Sequence, residues 1–181
     1  MLATSCGGRQ RFGAPGSDRA AMLRNGPPMA MSQVLVLEQA GVAPTDTSVT
    51  YDTRLGRTIV MRHVPPDNAV FATLVIPADS AATGETTIHL TQTPARYGVT
   101  ATASPAWPKG ARLTFSYAIH FQAPEGISQH YLGRSFYEAA LGIGIVTADG
   151  KLDFEPTTRP AADMLRADAP APGEYLVAAP R

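Results

Sequence analysis

The sequence predicts an all-β fold, an antiparallel β-sandwich, immunoglobulin-like or of a related kind, behind a flexible N-terminal lead, and three observations carry that reading. Sixteen glycines and sixteen prolines fall between short apolar runs, which cuts the chain into pieces of strand length. Strand signals recur at close intervals with turn residues between them, the rhythm of a sandwich or barrel and not of βαβ units. The longest signal, Arg112–Phe121, alternates Leu113, Phe115, Tyr117, Ile119 and Phe121 with Arg112, Thr114, Ser116, Ala118 and His120, the period of a strand with one buried face.

Taken in order, residues 1–33 read as a flexible lead or tether and 34–181 as the sandwich domain. From Gly7 to about Pro28 the only sizeable apolar residues are Phe12, Met22 and Leu23, too few to offset the entropy of ordering that stretch. Val34-Leu35-Val36-Leu37 is a continuous aliphatic run, which fits a short strand buried on both faces or an edge piece docked on the domain. Strands follow at Ser48–Tyr51, Arg57–Arg62, Val70–Ile76, Thr86–Thr91, Tyr97–Ala103, Arg112–Phe121, Gly142–Thr147, Leu152–Phe154 and Glu174–Ala179. Ile76, Ile88, Leu90, Leu113, Phe115, Tyr117 and Ile119 are expected to share one core, with Thr87, His89 and Thr91 outside. Ala148-Asp149-Gly150-Lys151 reads as a hairpin turn, and Ser135–Leu141 is the one stretch with helix potential, two turns at most.

Composition excludes some classes of function. Fifteen basic and fifteen acidic residues leave a formal net charge of zero, so no field draws in nucleic acid or an anionic membrane surface, and nucleic acid is not expected as a partner. No run approaches the roughly 18 apolar residues of a membrane-spanning helix, so the body of the chain is expected to be soluble. The single cysteine, Cys6, can make neither an intrachain disulfide nor a Cys-x-x-Cys metal site. The segment Met1-Leu2-Ala3-Thr4-Ser5-Cys6-Gly7-Gly8 resembles the end of a bacterial lipoprotein signal, without its basic and apolar parts. Two readings stand: Cys6 is a lipidation site whose signal begins upstream of Met1, or it is a chance cysteine in a disordered terminus. The first implies an extracytoplasmic location, periplasmic or cell envelope, with membrane attachment only through a lipid on Cys6.

Four passages carry a family resemblance over roughly Ser48 to Ala179: Val70–Pro77 (VFATLVIP) followed by Thr86–Leu90 (TTIHL), Pro105–Tyr117 (PAWPKGARLTFSY), Gly142–Pro156 (GIGIVTADGKLDFEP) and Gly173–Ala179 (GEYLVAA). Together they resemble the ZU5-like β-sandwich domains of bacterial extracytoplasmic proteins. The chain departs from that pattern at Ala78-Asp79-Ser80, where the family has glycine-alanine-leucine, and at Glu174, which intervenes between Gly173 and Tyr175. The resemblance implies a structural or interaction module with no catalytic residues to carry over.

No phosphate-binding loop, dinucleotide fingerprint, nucleophile elbow or His-Glu-x-x-His motif occurs in the chain. His89 and His120 fall on outward strand positions and would share a metal only if those strands were neighbours. With no cysteine nearby and no His-x-His spacing, solvated strand histidines are the preferred reading, and neither a metal nor a cofactor is expected. Trp107, in a proline-rich turn, stacks on a sugar ring or a partner's side chain if it is exposed beside Tyr97 or Tyr131. The preferred reading makes it a lid over one open end of the sandwich, against Phe115. The function expected is therefore a non-catalytic extracytoplasmic binding or structural module whose partner is an unknown protein or glycan. The alternative is a small β-fold hydrolase or sugar-active enzyme drawing its acid–base residues from Asp149, Asp153, Glu155 and His120.

Overall fold

The computed structural model describes residues 26–181. The larger sheet contains, from edge to edge, β1 (Met29–Ala30), β12 (Lys151–Phe154), β11 (Gly142–Val146), β14 (Gly173–Pro180), β8 (Gly98–Ser104), β7 (Glu85–Gln92) and β4 (Thr47–Asp52), with β2 (Val34–Val36) also paired to β14. The smaller runs β13 (Met164–Asp168), β9 (Arg112–Ser116), β6 (Val70–Ile76) and β5 (Arg57–Arg62). A separate ribbon pairs β3 (Glu38–Gln39) with β10 (Phe121–Gln122). All strand pairs named here are antiparallel. Helix among the described residues is confined to α1 (Arg134–Ala140) and two short 3-10 turns.

The two sheets share one core in a sandwich-like arrangement. Ile59, Leu74, Leu113 and Phe115 from the smaller sheet meet Ile88, Leu90, Val99 and Tyr175 from the larger in a single buried cluster. Phe71 and Tyr97 bridge the layers with ring centroids 4.6 Å apart. Alternation explains each contribution: in β7 Thr86, Ile88 and Leu90 are buried while Glu85, His89 and Thr91 are exposed. β14 lies between β11 on one side and β8 and β2 on the other, and Tyr175 through Ala179 are buried without a break. A strand paired on both edges and covered on both faces reads as a continuous apolar run. Its second face builds a smaller cluster from Leu176, Ala178, Leu152 and Val34.

Three sequence expectations are corrected. The strand expected to reach Phe121 stops at Ser116, and Ile119 is exposed. After Ser116 the chain leaves the sheet: the Tyr117 amide donates to the Asp163 carbonyl, and His120 takes the left-handed conformation, φ 56°, with its carbonyl accepting from the Ala40 amide. The apolar alternation runs on through a turn, where it no longer means burial. β13 goes unread in the sequence because it is short and follows a proline- and aspartate-containing stretch, yet Leu165 and Ala167 are buried and Arg166 and Asp168 are exposed in strand fashion. Residues Met29–Gln33, read as part of the lead, belong to the fold: Met29 pairs with Leu152, and Ala30 with Lys151. The expected hairpin turn joins β11 to β12, and the expected helix is α1.

Candidate ligand cleft at one end of the fold

At the end of the fold where β4 turns into β5, a cavity of about 380 Å³ opens between three connections: β4 to β5, β6 to β7 and β8 to β9. Tyr51 stands near the end of β4 opposite Thr86 of β7, and both are buried. Pro77 and Asp79 contribute from the β6–β7 connection, and Pro105, Trp107 and Pro108 from the β8–β9 connection. Hydrogen bonds tie the β4–β5 connection to the β6–β7 connection, and the β8–β9 connection to the segment that follows β13. The Asp79 amide donates to the Thr53 carbonyl at 3.2 Å, the Thr53 amide and hydroxyl donate to the Gly84 carbonyl, and the Ala169 amide donates to the Ala111 carbonyl at 2.8 Å.

Trp107 is half-buried, packs against the main core and lines the cavity. Its indole N–H donates to the Ala169 carbonyl at 2.7 Å, which holds the ring in place and leaves it to act through its π surface. The Tyr51 hydroxyl is buried without a hydrogen-bond partner, and burial pushes it above its ordinary value. Glu85 and Lys109 stand exposed at the rim, and Asp79 uses one carboxylate oxygen to accept from the Ala81 amide at 3.0 Å. The arrangement offers an aromatic and proline-lined floor with charged groups around it, suited to binding by stacking plus a few hydrogen bonds.

The other residues singled out in the sequence lie elsewhere. Tyr97 is fully buried between the sheets, its hydroxyl donating to the Ser116 carbonyl and burial pushing that hydroxyl far up. Tyr131 is buried against Tyr137, with ring centroids 5.6 Å apart, and its hydroxyl donates to the Pro180 carbonyl. Neither tyrosine therefore forms an exposed surface with Trp107. Tyr51, which does line the cavity, was missed; the signal for it is an aromatic residue at the turn end of an alternating strand. Cys6 lies outside the described residues.

The acid–base candidates divide among several places. Asp149 sits in the β11–β12 turn, where hydrogen bonds from Lys151 and Thr147 hold its carboxyl below the usual value. Glu155 follows β12; burial raises its carboxyl first, then the charges of Asp153 and Asp168. His120 lies in the turn after β9, with Nε2 2.6 Å from Asp67. His89 is exposed on β7 of the larger sheet, so the two histidines considered for a shared metal do not stand on neighbouring strands. Among the described residues no three of His, Cys, Asp and Glu converge to hold a metal, and no helix is long and apolar enough to cross a membrane. Compared with family models, with curated proteins and with solved structures, the chain gave no match in any of the three.

Proposed function

We propose that this protein is a non-catalytic binding module acting outside the cytoplasm, and that the Trp107 cleft receives part of a glycan or protein partner. The observation that carries the reading is the cavity of about 380 Å³ with an immobilised tryptophan in its wall. That volume falls in the range of roughly 300–1,000 Å³ found for small-ligand sites. A pre-oriented aromatic ring loses little freedom on binding, which favours affinity. The zero net charge argues for a contact dominated by stacking and hydrogen bonds. The ZU5-like resemblance belongs to the same proposal and is supported by the antiparallel strands that run from Thr47 to Pro180.

Trp107 is the chain's only tryptophan, so its emission reports from the cleft alone. Titration with soluble oligosaccharides and with peptides should shift that emission saturably for one class, and Trp107→Ala should abolish binding followed by calorimetry while leaving the fold intact. A ligand that binds with unaltered emission, and as tightly to Trp107→Ala, would place the site elsewhere. The proposed lipid on Cys6 is tested separately, by labelling cells with a radioactive fatty acid: label retained by Cys6→Ser would end that part of the proposal.

A further inference from the structure

At the end of the fold opposite the Trp107 cleft, three segments meet: Ala40–Thr45 leading into β4, His63–Ala69 between β5 and β6, and Tyr117–His120 between β9 and β10. His63 is the joint. It is 1% exposed, its amide donates to the Ala69 carbonyl, and its Nδ1 lies 3.1 Å from the Val42 carbonyl. A carbonyl only accepts, so Nδ1 carries the hydrogen and Nε2 of the neutral ring is a bare lone pair. That Nε2 is buried and has no partner. The ring stands edge-on to Phe71 of the core at 5.4 Å, and the His120 ring covers it with centroids 4.6 Å apart.

His120 is itself held from two sides. Asp67 lies 2.6 Å from its Nε2. On the other side it packs on Gly41, φ 71°, so closely that a Cβ there would stand 2.7 Å from Nδ1. The charged and titratable groups around His63 are therefore His120 from the turn after β9, Asp67 from the β5–β6 connection and Arg62 beside it in sequence, whose guanidinium donates to the Asn68 carbonyl. Phe71 brings no charge, and Ala40–Thr45 contains no titratable side chain.

We propose that this corner is an acid-opened latch: a proton added at His63 Nε2 expels the ring from its site, breaks its bond to Val42 and frees the three segments together. The added N–H would be a buried donor with no acceptor, on a cation wedged between Phe71 and a second imidazole, and such a group is costly to keep inside. Burial lowers the His63 pKa from its ordinary value and outweighs the raising effect of the Val42 carbonyl; His120 then lowers it and Asp67 raises it by less, and the net direction is down. The closed form therefore binds the proton less readily than the open one, and acid favours opening. Val42, already 51% exposed, and the β3–β10 ribbon are the parts set free.

Hydrogen exchange on the full chain between pH 7.5 and 4.5, corrected for intrinsic rates, tests the latch through the amides of Ala40, Thr45 and His63. Below the ordinary histidine value their opening constant should rise by up to about tenfold per pH unit, while β7 and β8 amides stay protected. His63→Gln keeps a side-chain donor for Val42 and cannot titrate, so its corner should stay protected throughout. If that variant fails to fold, the wild-type imidazole resonance of His63 decides: it should titrate in step with the loss of those amides. Equal pH dependence in His63→Gln, or a His63 ring that titrates while the three amides stay protected, would overturn the proposal.

Discussion

The two glycines that flank Leu176 make a quantitative test of how the outer face of the large sheet is packed. Gly98 of β8 and Gly144 of β11 both register opposite Leu176 of β14, which is fully buried. A Cβ built at Gly98 would stand 2.5 Å from Leu176 Cδ2 and 2.7 Å from the Tyr175 carbonyl oxygen. The methyl can rotate away, but the carbonyl belongs to a strand paired on both edges and moves only with the ladder. Gly98→Ala should therefore destabilise by about 1–3 kcal/mol, as overpacking does. Leu176→Ala alone should cost about 2–5 kcal/mol. In the double variant the Cδ2 clash is gone and the carbonyl clash remains, so it should cost about 0.5–2 kcal/mol less than the sum of the two single costs. Gly144→Ala is the control: its Cβ would meet Leu152 Cγ at 2.7 Å and the Asp153 carbonyl at 2.9 Å, so Leu152→Ala should relieve it and Leu176→Ala should not. Urea unfolding of the set, with the slopes checked for constancy, gives the cycle. Costs for Gly98→Ala and Leu176→Ala that add within about 0.5 kcal/mol, or a neutral Gly98→Ala, would refute the packing argument.

The remaining predictions are shorter. Phe115→Ala empties a fully buried site between the sheets and should cost about 3–5 kcal/mol, whereas His89→Ala, on the exposed face of β7, should stay within about 0.5 kcal/mol; denaturant midpoints in the reverse order would mean the faces are swapped. Tyr97→Phe removes the hydroxyl that donates to the Ser116 carbonyl and should lower stability by about 1–2 kcal/mol, read from the same midpoints. Glu155 has a folded pKa raised above the ordinary 4.5, so ionising it opposes folding. Its contribution is neutral below the unfolded value and becomes unfavourable as pH rises through the folded one. Glu155→Gln should therefore raise the unfolding midpoint at pH 7 and lose that advantage in acid; an equal gain at both pH values would point to a cause other than titration.

Most of the strands were legible because their signals are local. β5 and β6 run over the residues expected of them, and the hairpin between β11 and β12 follows from Asp149-Gly150 between two apolar runs. Alternation also marked the buried faces of β7 and β9. It misled at Ile119, because a period of two describes a strand only while the chain remains in a sheet, and the Tyr117–Asp163 and Ala40–His120 bonds that take it out come from distant segments.

The sequence by itself therefore determined the class of fold, most strand limits and the inward sets, since backbone geometry and side-chain period act over a few residues. Only the tertiary structure decided which strands lie side by side, because pairing joins segments far apart in the chain. That decision set β14 between β11 and β8, gave Leu176 its two glycines and brought β13 to the edge beside β9. It also decided the candidate site. Tyr97, offered by the sequence as a companion for an exposed Trp107, fills the space between two layers, while Tyr51, on strand β4, and Trp107, on the β8–β9 connection, line one cavity. His63, unremarkable as one residue in a strand-and-loop boundary, became a buried, half-satisfied ring because three loops converge on it. Burial and convergence are properties of the packed chain, and no local pattern encodes them.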